Sequence, residues 1–331
     1  MATLDNIIVG TFTSDGTAKT LPIRCDVDHI EVLNLTQMAT TQATGLGVKF
    51  EYYRGMAADS AIEYKKANAA NTLTGVQITS GGFTLVDSST NTLGSALTIT
   101  GVSQANPAVV SLASTSGLSS GDRVRIYGTT GMLQIAGMDF TIASVVSNTS
   151  FTLAYLDSSG FGAAATAGSV RKIPATSPLY YPKRLFVTGI TKASSAVVTL
   201  SVTHGLTVGQ RVVFNIPSAF GMTQMNGLRG QITAINTTTN TVTVNIDSSA
   251  FTTFAFPTSA SVPFTFAQMI PFGDAPATVA NVNGDQAVLD GATDNQGIVG
   301  ITLAAGVDSP AGSTSDVIYW RALKSSQYQS S

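Results

Sequence analysis

The stretch "VVSLASTSGLSSGDRVRIYGTTGMLQIAG", Val109 to Gly137, returns as "VVTLSVTHGLTVGQRVVFNIPSAFGMTQMNG", Val197 to Gly227. Gly101, Gly117, Gly121 and Arg123 recur as Gly189, Gly205, Gly209 and Arg211, each 88 positions on. After a two-residue insertion, Gly131-Met132, Gln134, Gly137 and Asp157-Ser158-Ser159 recur as Gly221-Met222, Gln224, Gly227 and Asp247-Ser248-Ser249, each 90 on. Such spacing marks two copies of one module. They are expected over residues 97–169 and 185–258, joined by the proline-containing "KIPATSPLYYPKR".

Inside each copy short β-branched runs alternate with glycines, the signature of strands joined by tight turns. Gly117, Gly121, Gly131, Gly137, Gly205, Gly209, Gly221 and Gly227 are therefore read as turn residues of a small barrel. The loops from Gly131 and Gly221 lack the Gly-Lys-Ser/Thr ending and the following helix of a phosphate loop, so a nucleotide loop is rejected there.

Outside the repeats the pattern is also strand. "DHIEVLNLT", "VKFEYYRG" and "GGFTLVD" alternate apolar and polar residues at period two. "IIVGTF" and "KTLPIRC" flank Asp15-Gly16, which predicts a tight hairpin. One helix is expected, over "ADSAIEYKKANAA", capped by Asp59 or Ser60. The fold class that follows is all-β: two tandem small β-barrel modules inserted in, or following, a β-sandwich-like base. Residues 1–96 form that base, and residues 259–331 are a β-segment placed to complete it. "FEYYRG" and "VIYWRA" share an aromatic-aromatic-Arg ending, so Phe50–Arg54 and Ile318–Arg321 are expected in one β-domain.

Composition limits the function. Only 11% of the 331 residues are charged and net charge is −2, so nothing neutralises phosphates or seeks an anionic membrane surface. Low charge suits a subunit that replaces repulsion with neighbour contacts. The N-terminus has neither a basic region nor a long apolar core, so no signal peptide is expected. The single cysteine, Cys25, rules out an internal disulfide and reads as a small buried apolar residue. Cys25 and His29 share one strand face as half of a conceivable metal site, but no second half exists, and His204 stands where the other copy has Ser116. "NVNGDQAVLDG", Asn281–Gly291, misplaces the glycine of a calcium loop and reads as a hairpin turn. No catalytic, cofactor-binding or metal-binding residue is assigned.

The string GL-(S/T)-x-G-(D/Q)-R-V, then GM-x-Q-(I/M)-(A/N)-G and DSS-x-F, resembles the small β-domain first described as the first catalytic cysteine half-domain of ubiquitin-activating enzymes. Copies of that domain recur in structural proteins of tailed bacteriophages. Neither copy here holds a cysteine and there is no adenylation domain, so activating-enzyme chemistry does not carry over. The resemblance implies a non-enzymatic virion protein, made in the host cytoplasm, that binds copies of itself and other tail or capsid proteins as a homo-oligomer. A tail tube, fibre or adaptor part is the first expectation and a capsid decoration or cement protein the second. A carbohydrate-binding adhesin is the third, with Tyr52, Tyr53, Tyr180 and Tyr181 as exposed stacking aromatics; Trp320 is expected first as a core anchor of the base, with Phe50, Tyr52 and Tyr319, and second as an interface aromatic. A hydrolase of the bacterial envelope comes last, since no placed carboxylate pair or nucleophile with a base is visible.

Overall fold

A computed structural model describes residues 7–23, 27–40, 45–66, 72–87, 94–115, 117–161, 164–173, 185–257, 265–272 and 298–324. The chain is all-β, with one eight-stranded sheet, one closed six-stranded barrel and one further six-stranded sheet. It divides into two compact units, one of Met1–Ser89, Gly205–Arg211 and Gln296–Ser331, the other of Thr90–His204 and Val212–Asn295.

The first unit, the base, is built from β1 (Ile7–Thr13), β2 (Lys19–Pro22), β3 (Val27–Asn34), β4 (Leu46–Tyr53), β5 (Ser60–Lys66), β6 (Leu73–Asp87), β19 (Ile298–Leu303) and β20 (Val317–Lys324). Their order is β1-β20-β3-β4-β5-β6-β19-β2. Early and late strands share this sheet, since Trp320 pairs with Val32, which pairs with Phe50. The sheet must roll up. Thr13 and Lys19 are six residues apart, a reach of at most ~20 Å, whereas the edge strands β1 and β2 of a flat eight-stranded sheet would stand ~34 Å apart. Inside the roll, Leu21, Ile30, Val32, Phe50, Phe83, Ile301, Ile318 and Trp320 form one apolar core.

Two local expectations fail in the base. β1 and β2 do not pair with each other, although Gly16 has the left-handed φ of 82° that a tight turn needs. The turn instead bonds to the loop before β20: Ser14 N–H donates to Asp316 O (2.8 Å) and Ser315 N–H to Ser14 O (2.8 Å). Where a helix is expected over residues 58–70, Ser60–Lys66 is strand β5, held between β4 and β6, and residues 67–70 lie outside the described residues. Helix propensity loses here to two flanking ladders and to alternation, with Ala61 and Glu63 facing inward and Ile62 and Tyr64 outward. The described α-helix is α1 (Leu35–Ala39), capped by Asn34, whose side chain accepts from Gln37 N–H.

The second unit holds the first module and, apart from Gly205–Arg211, the second. The barrel contains β7 (Leu97–Val102), β8 (Val109–Leu112), β9 (Arg123–Thr130), β10 (Asp139–Val146), β11 (Ser150–Leu153) and β12 (Ala167–Ile173). The second six-stranded sheet contains β13 (Val187–Ile190), β14 (Val197–Leu200), β15 (Arg211–Asn215), β16 (Arg229–Asn236), β17 (Thr241–Val244) and β18 (Gln268–Pro271). Their ladders correspond residue by residue. Ile99↔Leu112, Gly101↔Ser111 and Val102↔Val110 become Val187↔Leu200, Gly189↔Thr199 and Ile190↔Val198, with the same bulge. The pair Thr98↔Ser169 that closes the barrel has its counterpart in the single bridge Phe186↔Gln268. Packing is compensated: Phe140 and Ile126 of the first core become Gly230 and Phe214 in the second, so a large residue moves from one strand to the next.

Candidate binding surface

The module motifs are consumed by the fold. Asp122 accepts from Ser119 N–H (2.8 Å) and Gln210 from Thr207 N–H, so the Asp/Gln position clamps a turn. Ser158 and Ser248, both fully buried, donate to the carbonyls of Ser103 and Ala105 or of Thr191 and Ala193, and accept from Ala105 or Ala193 N–H. Asp157 and Asp247 accept from the N–H and hydroxyl of the serine two residues on, which holds their carboxyls below the usual range. A Cβ on Gly131 or Gly221 would stand 2.5 Å from the carbonyl oxygen of Ala164 or Thr253, a close approach that only glycine permits. Gly137 and Gly227 donate to Ile126 O and Phe214 O, and Gly117, Gly121 and Gly209 also have positive φ. Gly205 does not, so it departs from its counterpart Gly117.

Arg123 and Arg211 lie outside their module cores. Arg211 is exposed, while Arg123 is half-buried and donates to Thr203 O (2.8 Å). Burial lowers Arg123 to about 10, which leaves it cationic at neutral pH. Beside it Arg125 and Asp139 form a buried bidentate pair at 2.8 and 3.2 Å. The second module has Val213 and Arg229 at those positions, so the pair is private to the first copy.

A different surface is accessible: the outer face of the base sheet, where side chains line up in three rows. One row runs Arg321, Glu31, Glu51, Ile62, Gln77 and the next Leu33, Lys49, Tyr64, Gly75, while His29 and Tyr53 start a third. Charge is balanced across the rows. Lys49 Nζ lies 2.9 Å from Glu31 and 2.8 Å from Glu51, and Arg321 Nε lies 2.9 Å from Glu31. Burial works against Glu51 ionising, but Lys49 and Tyr64 hold its carboxyl below the usual range. Burial lowers His29, so the imidazole is neutral at pH 7 despite Glu51 and Glu31 nearby.

The rows end in an open groove of about 460 Å³ lined by Tyr53, Met56, Ile62, Tyr64, Gly75, Val76 and Gln77. Tyr53 is 45% exposed, with its ring 4.5 Å from that of His29 and tilted by 31°. The hydroxyls of Tyr53 and Tyr64 both donate to Glu51 Oε2, at 3.5 and 3.1 Å. Tyr64 lies over Gly75, where a Cβ would come within 3.3 Å of its ring, and Lys49 Nζ sits 5.1 Å from the ring centroid.

Of the aromatics expected at a surface, only Tyr53 is shown there. Tyr52 alternates inward, is 4% exposed and packs against Phe83 in the core. Trp320 is fully buried, its indole N–H donating to Thr207 Oγ1 (3.1 Å), so it anchors the base core. Tyr180, Tyr181, Cys25 and Asn281–Gly291 lie outside the described residues, and His204 is half-buried in the loop ahead of Gly205. Among the described residues no group of three or more His, Cys, Asp or Glu could hold a metal ion. Sequence reading missed Tyr64, Ile62 and Gln77. The alternation in "AIEYKK" that could have found Ile62 and Tyr64 was read as helix, and Gln77 lies on the next strand, β6.

No protein-family profile matches the chain, and no curated protein does. Among solved structures it is similar to a phage phi92 endosialidase, at 13% identity and a TM-score of 0.17, over 75% of this chain and 41% of that one. A likeness at this level assigns neither fold nor activity.

Proposed function

We propose that the chain is a non-enzymatic structural component of a tailed-phage virion, tail-associated, assembling with copies of itself and with other virion proteins. The observation that supports this reading is the duplicated module. Its recurring motif residues are spent on turns and clamps, and its motif string resembles a β-domain that recurs in tailed-phage structural proteins. Sparse charge, 11% of the residues, suits association through many symmetry-related contacts, each weak and together lasting. The reading needs no cofactor, nucleic acid or membrane.

Co-sedimentation tests it. The purified protein, added to particles assembled without it, is expected to pellet at a fixed ratio of copies per particle and to run above monomer size by light scattering. A monomer that stays in the supernatant refutes the assembly reading. Antibody labelling of the pelleted particles then separates the tail from a decoration site on the head.

A further inference from the structure

We propose that the groove at Tyr53 is a binding site for an uncharged saccharide, a function that goes beyond assembly and does not depend on it. The argument starts from ring faces. Tyr64 has Gly75 beneath it and Lys49 near it, so its ring is occupied within the protein. Tyr53 has His29 against one side and is 45% exposed, so a ring face remains for a ligand. Its position is set beforehand: the ring rests on the imidazole and the hydroxyl reaches Glu51. A fixed aromatic plate loses little conformational entropy when something stacks on it.

The surroundings select the ligand. The lining combines the apolar side chains of Ile62, Met56 and Val76 with the amide of Gln77, which pairs with Ile62 across β5 and β6. Apolar walls with a few placed polar groups, at this volume, are the makeup of a small-molecule site. A pyranose fits both halves, with its C–H face against Tyr53 and a hydroxyl toward Gln77. Charge decides against ionic ligands. Glu31 and Glu51 are already met by Lys49 and Arg321, and His29 is neutral, so a charged group would find no free counter-ion in these rows.

Saturation-transfer NMR on the full chain tests the proposal, with maltohexaose, cellohexaose and chitohexaose as neutral probes and hexagalacturonate as the anionic one. Saturation is expected to reach at least one neutral probe. Tyr53→Ala should weaken binding about tenfold, and Tyr53→Phe, which keeps the ring, should stay within about threefold. Gln77→Ala should fall between them. Far-ultraviolet circular dichroism confirms that each variant is folded. Transfer to no neutral probe, transfer to hexagalacturonate alone, or undiminished binding by folded Tyr53→Ala overturns the saccharide site. Particle association is measured separately, so loss of one reading leaves the other standing.

Discussion

Gly10→Ala puts a methyl group where the base has no room for one. Gly10 pairs with Trp320 across β1 and β20. A Cβ there would lie 2.2 Å from Thr207 Oγ1, 2.7 Å from Trp320 Nε1 and 2.9 Å from Trp320 Cε2. Neither neighbour yields easily: Trp320 is fully buried, and the Thr207 hydroxyl is held by the indole N–H and by Gln210. Overpacking of this kind costs ~1–3 kcal/mol, and losing the indole hydrogen bond adds about 1 kcal/mol. Reduced freedom of the unfolded alanine chain returns ~0.4–1 kcal/mol. The net loss is roughly 1–3 kcal/mol, or roughly 5–15 °C in melting temperature for a unit of this size. Thr207→Ala in the same chain removes the nearest atom and should recover part of the loss, so a double-mutant cycle by thermal denaturation should show coupling above ~0.5 kcal/mol. Wild-type melting of Gly10→Ala, or strict additivity, would refute the claim that Gly205–Arg211 is packed into the base. The same contact makes deletion of residues 97–258 a damaging change, because it removes Thr207 from beside Trp320.

Glu63 is buried against Phe50 with Asp308 beside it, and burial together with that second carboxylate pushes it up to about 7. Between the ordinary carboxylate range and pH 7 the folded state therefore holds a proton that the unfolded state has lost, so base stability falls as pH rises through that window, by roughly 1–3 kcal/mol. Glu63→Gln should flatten the dependence in melts from pH 4.5 to 8, and an unchanged slope would remove Glu63 as its source. Asp139→Ala strands Arg125 without its partner and should cost ~3–5 kcal/mol in denaturant titration, whereas Arg125→Val with Asp139→Leu should come within ~1 kcal/mol of wild type; equal losses would show that the pair is not buried as described. Gly121→Ala and Gly209→Ala, at φ of 85° and 91°, should each cost ~1–2 kcal/mol by thermal denaturation, while Gly205→Ala, with no left-handed backbone, should carry none of that backbone penalty.

Most strands were legible from regular alternation, β5 excepted, and the duplication was legible because its glycines and DSS turns are local needs of each copy. What escaped depended on distant partners. β5 looks helical in isolation, and only ladders on both sides make it a strand. The Asp15-Gly16 turn has the geometry of a hairpin, but the strands it joins pair elsewhere. β18 follows its module after a longer connection than β12 does in the first copy, so no fixed offset points to it. Tyr52 and Tyr53 are adjacent and chemically alike, and only the register of β4 puts one in the core and the other on the groove. Nothing in the sequence shows that Gly205–Arg211, inside the second repeat, belongs with the base unit.

Electron microscopy of intact particles, with gold-labelled antibody against this chain, tests the central claim most directly. The account predicts regularly spaced label on the tail, in a constant number per particle. Particles without label, with the protein recovered only as a free monomer from the lysate, would contradict it.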